Sequence, residues 1–225
     1  MPTPRNRPTI LLTGFGPFPT VPVNASWVVV QKLATAAERA FPGYCIHHEM
    51  LSTEWCGGTQ RIVELLDLTR PVLALHFGVS SRAIGFVIEA RGCNERSIVA
   101  DACGHTPDSA DCLIEGGKDY LASRLPLHLI VHRLRAKGLP VELSRSAGRY
   151  LCNAALYHSL ATVGSHAGNV RSGFVHLPTI IDERRRTGGS RLTMKQAIAG
   201  GLEIIAASIG RAPVASITPA RRAST

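Results

Sequence analysis

Three side-chain types in this chain can combine into acyl-transfer chemistry: a thiol, an imidazole and a carboxylate. The thiol best placed to react is Cys152. Residues 144–150, SRSAGRY, are mostly small and turn-prone, and they lead into a helical pattern with Cys152 in or near its first turn. Free backbone N–H groups and the positive end of the helix macrodipole stabilise a thiolate at such a place. A buried cysteine acting as a small hydrophobe is the alternative that this stretch alone leaves open. A cysteine hydrolase also needs a base beside the thiol and an acceptor that orients the base. Of the nine histidines, His176 is best placed, near the end of the apolar run GFVHL and just before Pro178. A satisfied core or edge histidine is the competing reading there. His128 and His132 have i, i+4 spacing but lack the glutamate of H-E-x-x-H, so they read as a solvated helix face or a subunit contact. His47 and His48 alternate across a strand pattern and cannot both face one site. Cys93, Cys103, His105 and Cys112 form no C-x₂₋₄-C knuckle, and no metal is expected. Among the acids Glu89 stands out, because FVIEA is otherwise apolar and a carboxylate there is costly unless paired or facing a crevice. Pairing with Arg82 or Arg91 on an edge strand explains it equally well from pattern alone.

The frame for these residues is an alternation of strand and helix. Residues 9–13, TILLT, form a continuous apolar run into GFGPF and read as a buried strand entering a turn. Asn24 or Ser26 can cap a helix over 27–40, with Val30, Leu33 and Ala37 on one face, before Pro42 and Gly43 stop it. A strand at 44–51, a helix from Cys56 through Leu68 and an apolar strand at 71–77 follow, which implies parallel pairing through crossovers. Residues 83–90 look extended, and 91–122 form a long polar stretch without period, of the kind that covers a site or an interface. A helix at 126–137, a short strand at 140–143, the Cys152 helix with Leu156, Leu160 and Val163 on one face, a strand at 173–177, a polar loop at 182–191 and a helix at 193–208 complete the pattern. The expected fold is α/β, a single-domain three-layer α/β/α sandwich around a mostly parallel twisted sheet. It is expected to occupy residues 1–211, with a flexible tail at 212–225. Ligands of open parallel sheets bind at the carboxyl ends of the strands. GFGPF, Gly78-Val79-Ser80, the 144–152 stretch and His176 all lie after or at the end of strands and can converge on one crevice. The residues alone therefore lead to a Cys152/His176/Glu89 hydrolase.

Composition narrows the class. The chain has 225 residues, 45% hydrophobic and 18% charged, which suits one soluble domain with a full core. The net charge of +9 would suit an anionic partner. Its basic residues are nevertheless scattered or gathered in flanks, at Arg5 and Arg7, at 184–186 and at Arg221 and Arg222, and aromatics are only 5%, so no nucleic-acid partner is expected. Six irregularly spaced cysteines point to reduced thiols. No apolar run approaches the ~20 residues of a membrane span and the N-terminus has no signal-peptide core, so a cytoplasmic, non-membrane protein is expected.

Seven segments, in order, resemble the pyroglutamyl peptidase I family of cysteine peptidases: LLTGFGPF at 11–18, VNASW at 23–27, FGVSS at 77–81, Glu89 with Asn94, DACGHTP at 101–107, SAGRYLCN at 146–153 and GFVHLP at 173–178. The resemblance implies a cysteine exopeptidase acting on peptides with an N-terminal pyroglutamate through a thioester acyl-enzyme. It assigns Cys152 as nucleophile, His176 as base and later acid, and Glu89 as the residue that orients the imidazole. Phe15 and Phe18 are implied to line the ring slot, with Asn24 and Val79 at the pocket. It implies no cofactor, and a homo-oligomer, often a tetramer. Some positions depart from the usual bacterial pattern: Val79-Ser80-Ser81-Arg82 replaces a Gln and a Gly-Gly-Arg turn, Ala25 stands where Asn-Pro is common, and GRYLCN with Arg149 is closer to the animal branch. These touch the pocket wall and leave the triad intact. Residues 95–122 match poorly outside DACGHTP.

Overall fold

The computed structural model describes residues 7–19, 21–109, 111–166, 168–181 and 192–213. The expected polar loop at 182–191 and the tail from 214 onward lie outside them. Eight strands and five helices are described: β1 Thr9–Phe15, α1 Ala25–Ala40, β2 Cys45–Leu51, α2 Trp55–Thr69, β3 Leu73–Ser80, β4 Phe86–Glu89, β5 Arg91–Cys93, β6 Tyr120–Ala122, α3 Leu127–Ala136, β7 Val141–Ser144, α4 Leu151–Ser165, β8 Arg171–Pro178 and α5 Met194–Ile209. Six strands make one sheet in the order β2-β1-β3-β8-β4-β7, while β5 and β6 form a separate antiparallel ribbon. All neighbours in the large sheet are parallel except β4 and β8.

Alternation along the strands sorts two unlike cores. Ile10, Leu12, Leu73, Leu75, Phe77, Ile88, Val175 and Leu177 point to the side covered by α1, α3 and α5, a wholly apolar layer with Val30, Leu33, Ile130, Leu134, Ile204 and Ile205. Leu11, Phe15, Ala74 and Phe174 point to the side of α2 and α4. With a side-chain period of two, Thr13, His76, Gly78, Ser172 and His176 share that second face. The sheet therefore puts its chemistry on one side and its aliphatic ballast on the other.

Local signals set the element ends. Asn24 caps α1, its side-chain oxygen accepting from Ser26 N–H at 3.1 Å. Thr193 and Gln196 form a reciprocal capping box on α5, and Gly210, at φ 68°, ends it in the left-handed region. β1 runs two residues past the apolar TILLT, because Gly14 and Phe15 continue in register with Met50 and Leu51 of β2. Gly14 also lets β1 press against α1, since a Cβ there would meet the Ser26 carbonyl at 2.9 Å.

α4 differs from its sequence pattern. One apolar face was expected, yet Ala154, Ala155, Leu156, Tyr157, Ser159, Leu160 and Val163 are all buried. A helix apolar all round is a buried helix. The sheet lies beneath it, α2 beside it, and the β5–β6 ribbon covers its outer side.

The 91–122 stretch is thus an organised cover. Asn94 Nδ2 donates to the carbonyls of Ile114 and Gly117, and its Oδ1 accepts from Ile114 N–H. Asp101 accepts from the N–H groups of Trp55, Cys103 and His105, while Trp55 Nε1 donates to Val99 C=O and Tyr150 OH to Ala100 C=O. Burial opposes the Asp101 charge, but those three backbone donors outweigh it and hold the carboxyl below its usual value.

Candidate active site

Cys152 lies in the first turn of α4 and is half-buried. The N-cap, Tyr150, makes no side-chain bond to the turn, and no acidic residue sits in it. The first N–H groups of the helix have no acceptor within it, so they and the macrodipole face the thiol region unopposed. Asn153, fully buried, ties this turn to the cover: its Oδ1 accepts from Cys93 N–H at 2.9 Å, and its Nδ2 donates to the carbonyls of Cys93 and Glu95 at 2.8 and 2.9 Å.

The base side comes from the sheet. His176 on β8 stands in register with Gly78 on β3 and with Val87 on β4. A Cβ built on Gly78 would lie 3.0 Å from Cys152 Sγ and 2.7 Å from Cζ of Phe174, so only glycine leaves room for the thiol over this strand. The Cys152 side chain is close enough to the His176 ring for its charge to act on the imidazole, and the ring's Nδ1 lies 2.8 Å from Glu89 Oε1. Glu89 is 1% exposed and His176 7%. Burial opposes a charge on the imidazole. The charge of Cys152 and the Glu89 carboxylate together outweigh that cost and raise His176 from 6.5 to about 10. Glu89 Oε2 is buried without a hydrogen-bond partner, so the imidazole is the group that balances this carboxylate. The alternative partner Arg91 falls elsewhere: its Nε donates to Arg145 C=O and its guanidinium lies 4.0 Å over the Tyr120 ring.

Aromatic rings stand beside the imidazole. Phe174 is 4.9 Å from His176 between centroids, and Phe15 is 6.4 Å from Phe174. Phe15 is buried, while Phe18 and Val79, on the loop after β1 and at the end of β3, are half-buried. The Asn24 side chain is engaged inside the protein, donating from Nδ2 to Gly16 C=O at 2.9 Å and accepting at Oδ1 from Ser26 Oγ at 2.8 Å, which holds the GFGPF turn against α1. Arg149 is 67% exposed and paired with Glu95 at 2.6 Å. Cys152, His176, Glu89, Phe15 and Gly78 are linked by direct or successive contacts. Phe18, Asn24 and Val79 belong to adjacent loops. Phe174 was missed by sequence reasoning, although its i−2 spacing from His176 put it on the same strand face. A cavity of about 610 Å³ lined by Trp55, Cys56, Arg96, His105, Pro107 and His158 contains none of Cys152, His176 and Glu89. Among the described residues, no group of histidine, cysteine and acidic side chains is arranged to hold a metal.

A thiol, an imidazole and a buried carboxylate in series, over the central strands of an α/β sheet, define the class of cysteine hydrolases. The family model described as pyroglutamyl peptidase matches residues 8–218, and the chain belongs to that family. A pyrrolidone-carboxylate peptidase of Cupriavidus taiwanensis is 31% identical over 203 residues, 89% of this chain and 92% of the relative. Pyroglutamyl-peptidase 1 of Rattus norvegicus is 34% identical over 178 residues, 77% and 80% of the two chains. The crystal structure of pyroglutamyl peptidase I from Bacillus amyloliquefaciens superposes with a TM-score of 0.78 at 26% identity, covering 89% of this chain and 96% of that one. A variant of the pyrrolidone carboxyl peptidase from Pyrococcus furiosus, at 22% identity and a TM-score of 0.79, shares the fold.

Proposed function

We propose that the chain, as one catalytic domain over residues 1–211, is a cysteine exopeptidase that hydrolyses the amide bond after an N-terminal pyroglutamyl residue. The observation that carries this reading is His176, with Nδ1 2.8 Å from the buried Glu89 carboxylate and Cys152 beside the ring, in a chain of this family.

Cys152 is the nucleophile. Its thiolate, held by the imidazolium of His176, attacks the carbonyl that follows the lactam ring, and backbone N–H groups at the start of α4 receive the developing oxyanion. His176 then gives its proton to the departing amine, leaving a thioester on Cys152. A water molecule deprotonated by the now neutral His176 attacks the thioester and releases pyroglutamate and the thiol. Glu89 accepts from Nδ1–H throughout, which fixes the tautomer so that Nε2 faces the sulfur. No step needs a metal or an organic cofactor.

The lactam has no α-ammonium, so a neutral slot suits it. Phe15, Phe18 and Val79 offer apolar and aromatic walls, and Asn24, through the Gly16 carbonyl it binds, sets the shape of the turn that carries both phenylalanines. A substrate with a free α-amine would bury an unpaired charge there, so prolyl and glutamyl amides should fail where pyroglutamyl amides react. Family resemblance extends the reading to a homo-oligomer, often a tetramer, working in the cytoplasm; light scattering at assay concentration tests the assembly. Among the described residues no helix is long and apolar enough to cross a membrane.

The decisive assay is release of a chromophore from a pyroglutamyl anilide by wild type and Cys152→Ala side by side. Turnover by the wild type, abolished in a folded Cys152→Ala protein, is expected. Undiminished turnover by Cys152→Ala would overturn the reading.

A further inference from the structure

Beneath the reactive thiol the same sheet face carries a second polar series that the chemistry above does not use. Thr13 Oγ1 lies 2.8 Å from His76 Nδ1, His76 Nε2 lies 2.8 Å from Ser159 Oγ, and Ser159 Oγ lies 2.7 Å from Ser172 Oγ. All four residues are 0% exposed. Each comes from a different element: β1, β3, α4 and β8.

Those four elements also carry the parts of the active site other than Glu89, which lies on β4. Phe15 is two residues beyond Thr13 on β1, Gly78 two beyond His76 on β3, and His176 four beyond Ser172 on β8, each on the same strand face as its partner. Cys152 is seven residues before Ser159 on α4, about two helical turns or about 10 Å along the axis. Around Ser159 the helix is buried through Ala154, Ala155, Leu156 and Leu160. Apolar contact of this kind is non-directional and leaves a helix free to slide or rotate by fractions of an ångström. A fully paired polar chain in a dry interior is directional and specifies one arrangement.

We propose that His76 and Ser159, with Ser172 and Thr13 at the ends of the chain, are positioning residues for catalysis: they lock the register of α4 over β3 and β8 and thereby set Cys152 Sγ against the His176 ring. The inference rests on the reading of Cys152 and His176 as the reacting pair. Ser159 is the link through which the helix is held, because it meets His76 from one strand and Ser172 from the next. A neutral imidazole suits this task, as it donates at one nitrogen and accepts at the other and so passes a single direction of hydrogen bonding along the chain.

The test compares Ser159→Ala, Ser159→Thr, Ser172→Ala and Ile205→Val. Ile205 lies in the apolar core on the opposite side of the sheet and serves as a control for loss of stability alone. For each protein, kcat and KM on a pyroglutamyl anilide, the pH profile of Cys152 alkylation by iodoacetamide, and the melting temperature are measured. Ser159→Ala, which favours the helix locally, is expected to lower kcat about tenfold with KM within about twofold, and to shift the alkylation profile as the thiolate–imidazolium pair loosens. Ser172→Ala should do the same to a smaller degree, and Ser159→Thr, which keeps the hydroxyl, should restore the profile. Ile205→Val should lower the melting temperature and leave kcat and the profile as in wild type. Wild-type kcat and alkylation profile in folded Ser159→Ala would overturn the proposal, as would a fall in kcat that follows melting temperature equally in Ile205→Val. If Ser159→Ala does not fold, Ser172→Ala decides by the same criteria. Absence of turnover by the wild type would count against the substrate reading, whereas the alkylation profiles still decide the positioning role.

Discussion

Two buried histidines stand on one face of the sheet, on adjacent strands, and burial treats them in opposite ways. His76 on β3 is surrounded by hydroxyls; burial alone acts on it, and its pKa falls from 6.5 to about 4. His176 on β8 meets the same opposition, yet the charge of Cys152 and the Glu89 carboxylate carry it up to about 10. The lesson is that depth does not decide whether an imidazole is charged. The neighbours do: two hydroxyls leave it a neutral connector, while a thiol and a carboxylate keep it charged.

The largest expected effect comes from making the second histidine resemble the first. Glu89→Gln removes the carboxylate while keeping its shape, and kcat/KM on a pyroglutamyl anilide should fall by about a hundred- to ten-thousandfold. The stability profile should change with it. His176 holds its proton more tightly in the folded chain than in the unfolded one. The stabilisation is therefore complete below about pH 6.5 and lost as pH rises through about 10. Urea unfolding across that window should show a shallower alkaline decline for Glu89→Gln, and shallower still for Cys152→Ala, which removes the largest raising influence. An unchanged slope in both variants would break the comparison.

His76 has the opposite sign. Its folded value lies below its unfolded one, so the stability of its neutral form is present above about pH 6.5 and lost as pH falls through about 4. The fall from 6.5 to about 4 corresponds to about 3 kcal/mol. His76→Gln cannot titrate there, and its unfolding free energy should change less than that of wild type between pH 7 and about pH 4.5, read by urea titration.

A smaller perturbation tests the steric side of the contrast. Gly78→Ala would set a methyl 2.7 Å from Phe174 and 3.0 Å from Cys152 Sγ, so ring and sulfur must both move. Overpacking of this kind costs about 1–3 kcal/mol, and the rate of hydrolysis should fall about ten- to a hundredfold as the thiol leaves the imidazole. The smallest effect is expected for Arg149→Ala. This guanidinium is exposed and paired with Glu95, outside both histidine sites, so kcat/KM should stay within about twofold and unfolding within about 0.5 kcal/mol.

What the sequence revealed, and what it hid, follows from the range of each signal. Cys152, His176 and Glu89 were legible, because a turn-rich helix start, a strand end and an acid in an apolar strand are local patterns. Glu89 was ambiguous from pattern alone, since Arg82 and Arg91 are near in sequence and His176 is 87 positions away. The strand and helix order was legible too, with ends shifted by about one to three residues where a neighbouring ladder extended a strand, as at Gly14 and Phe15. The series from Thr13 to Ser172 had no local mark. Thr13 lay in an apolar strand, His76 read as part of the apolar run PVLALHF, and Ser159 interrupted the face of Leu156 and Leu160. Only the meeting of four elements gives them a shared role. The cover at 91–122 was hidden for a related reason, since its order comes from single side chains such as Asn94, Asp101 and Asn153 rather than from periodicity.

The reversed strand β4 has a further consequence. Because β4 runs against β8, with Val87 opposite His176, its carboxyl-terminal Glu89 reaches the imidazole from deeper in the sheet, and Ile88 is anchored in the aliphatic layer on the far side. Residues 81–85 join β3 to β4 before Phe86 N–H donates to Pro140 C=O, and they lie outside the ladder. Sequence length should therefore vary more readily in that short bridge than in β4 itself among working descendants of this chain. Between 86 and 89 a single inserted residue would put Ile88, and a single deleted one Ala90, in the place of the carboxylate beside His176, and such lineages should be purged.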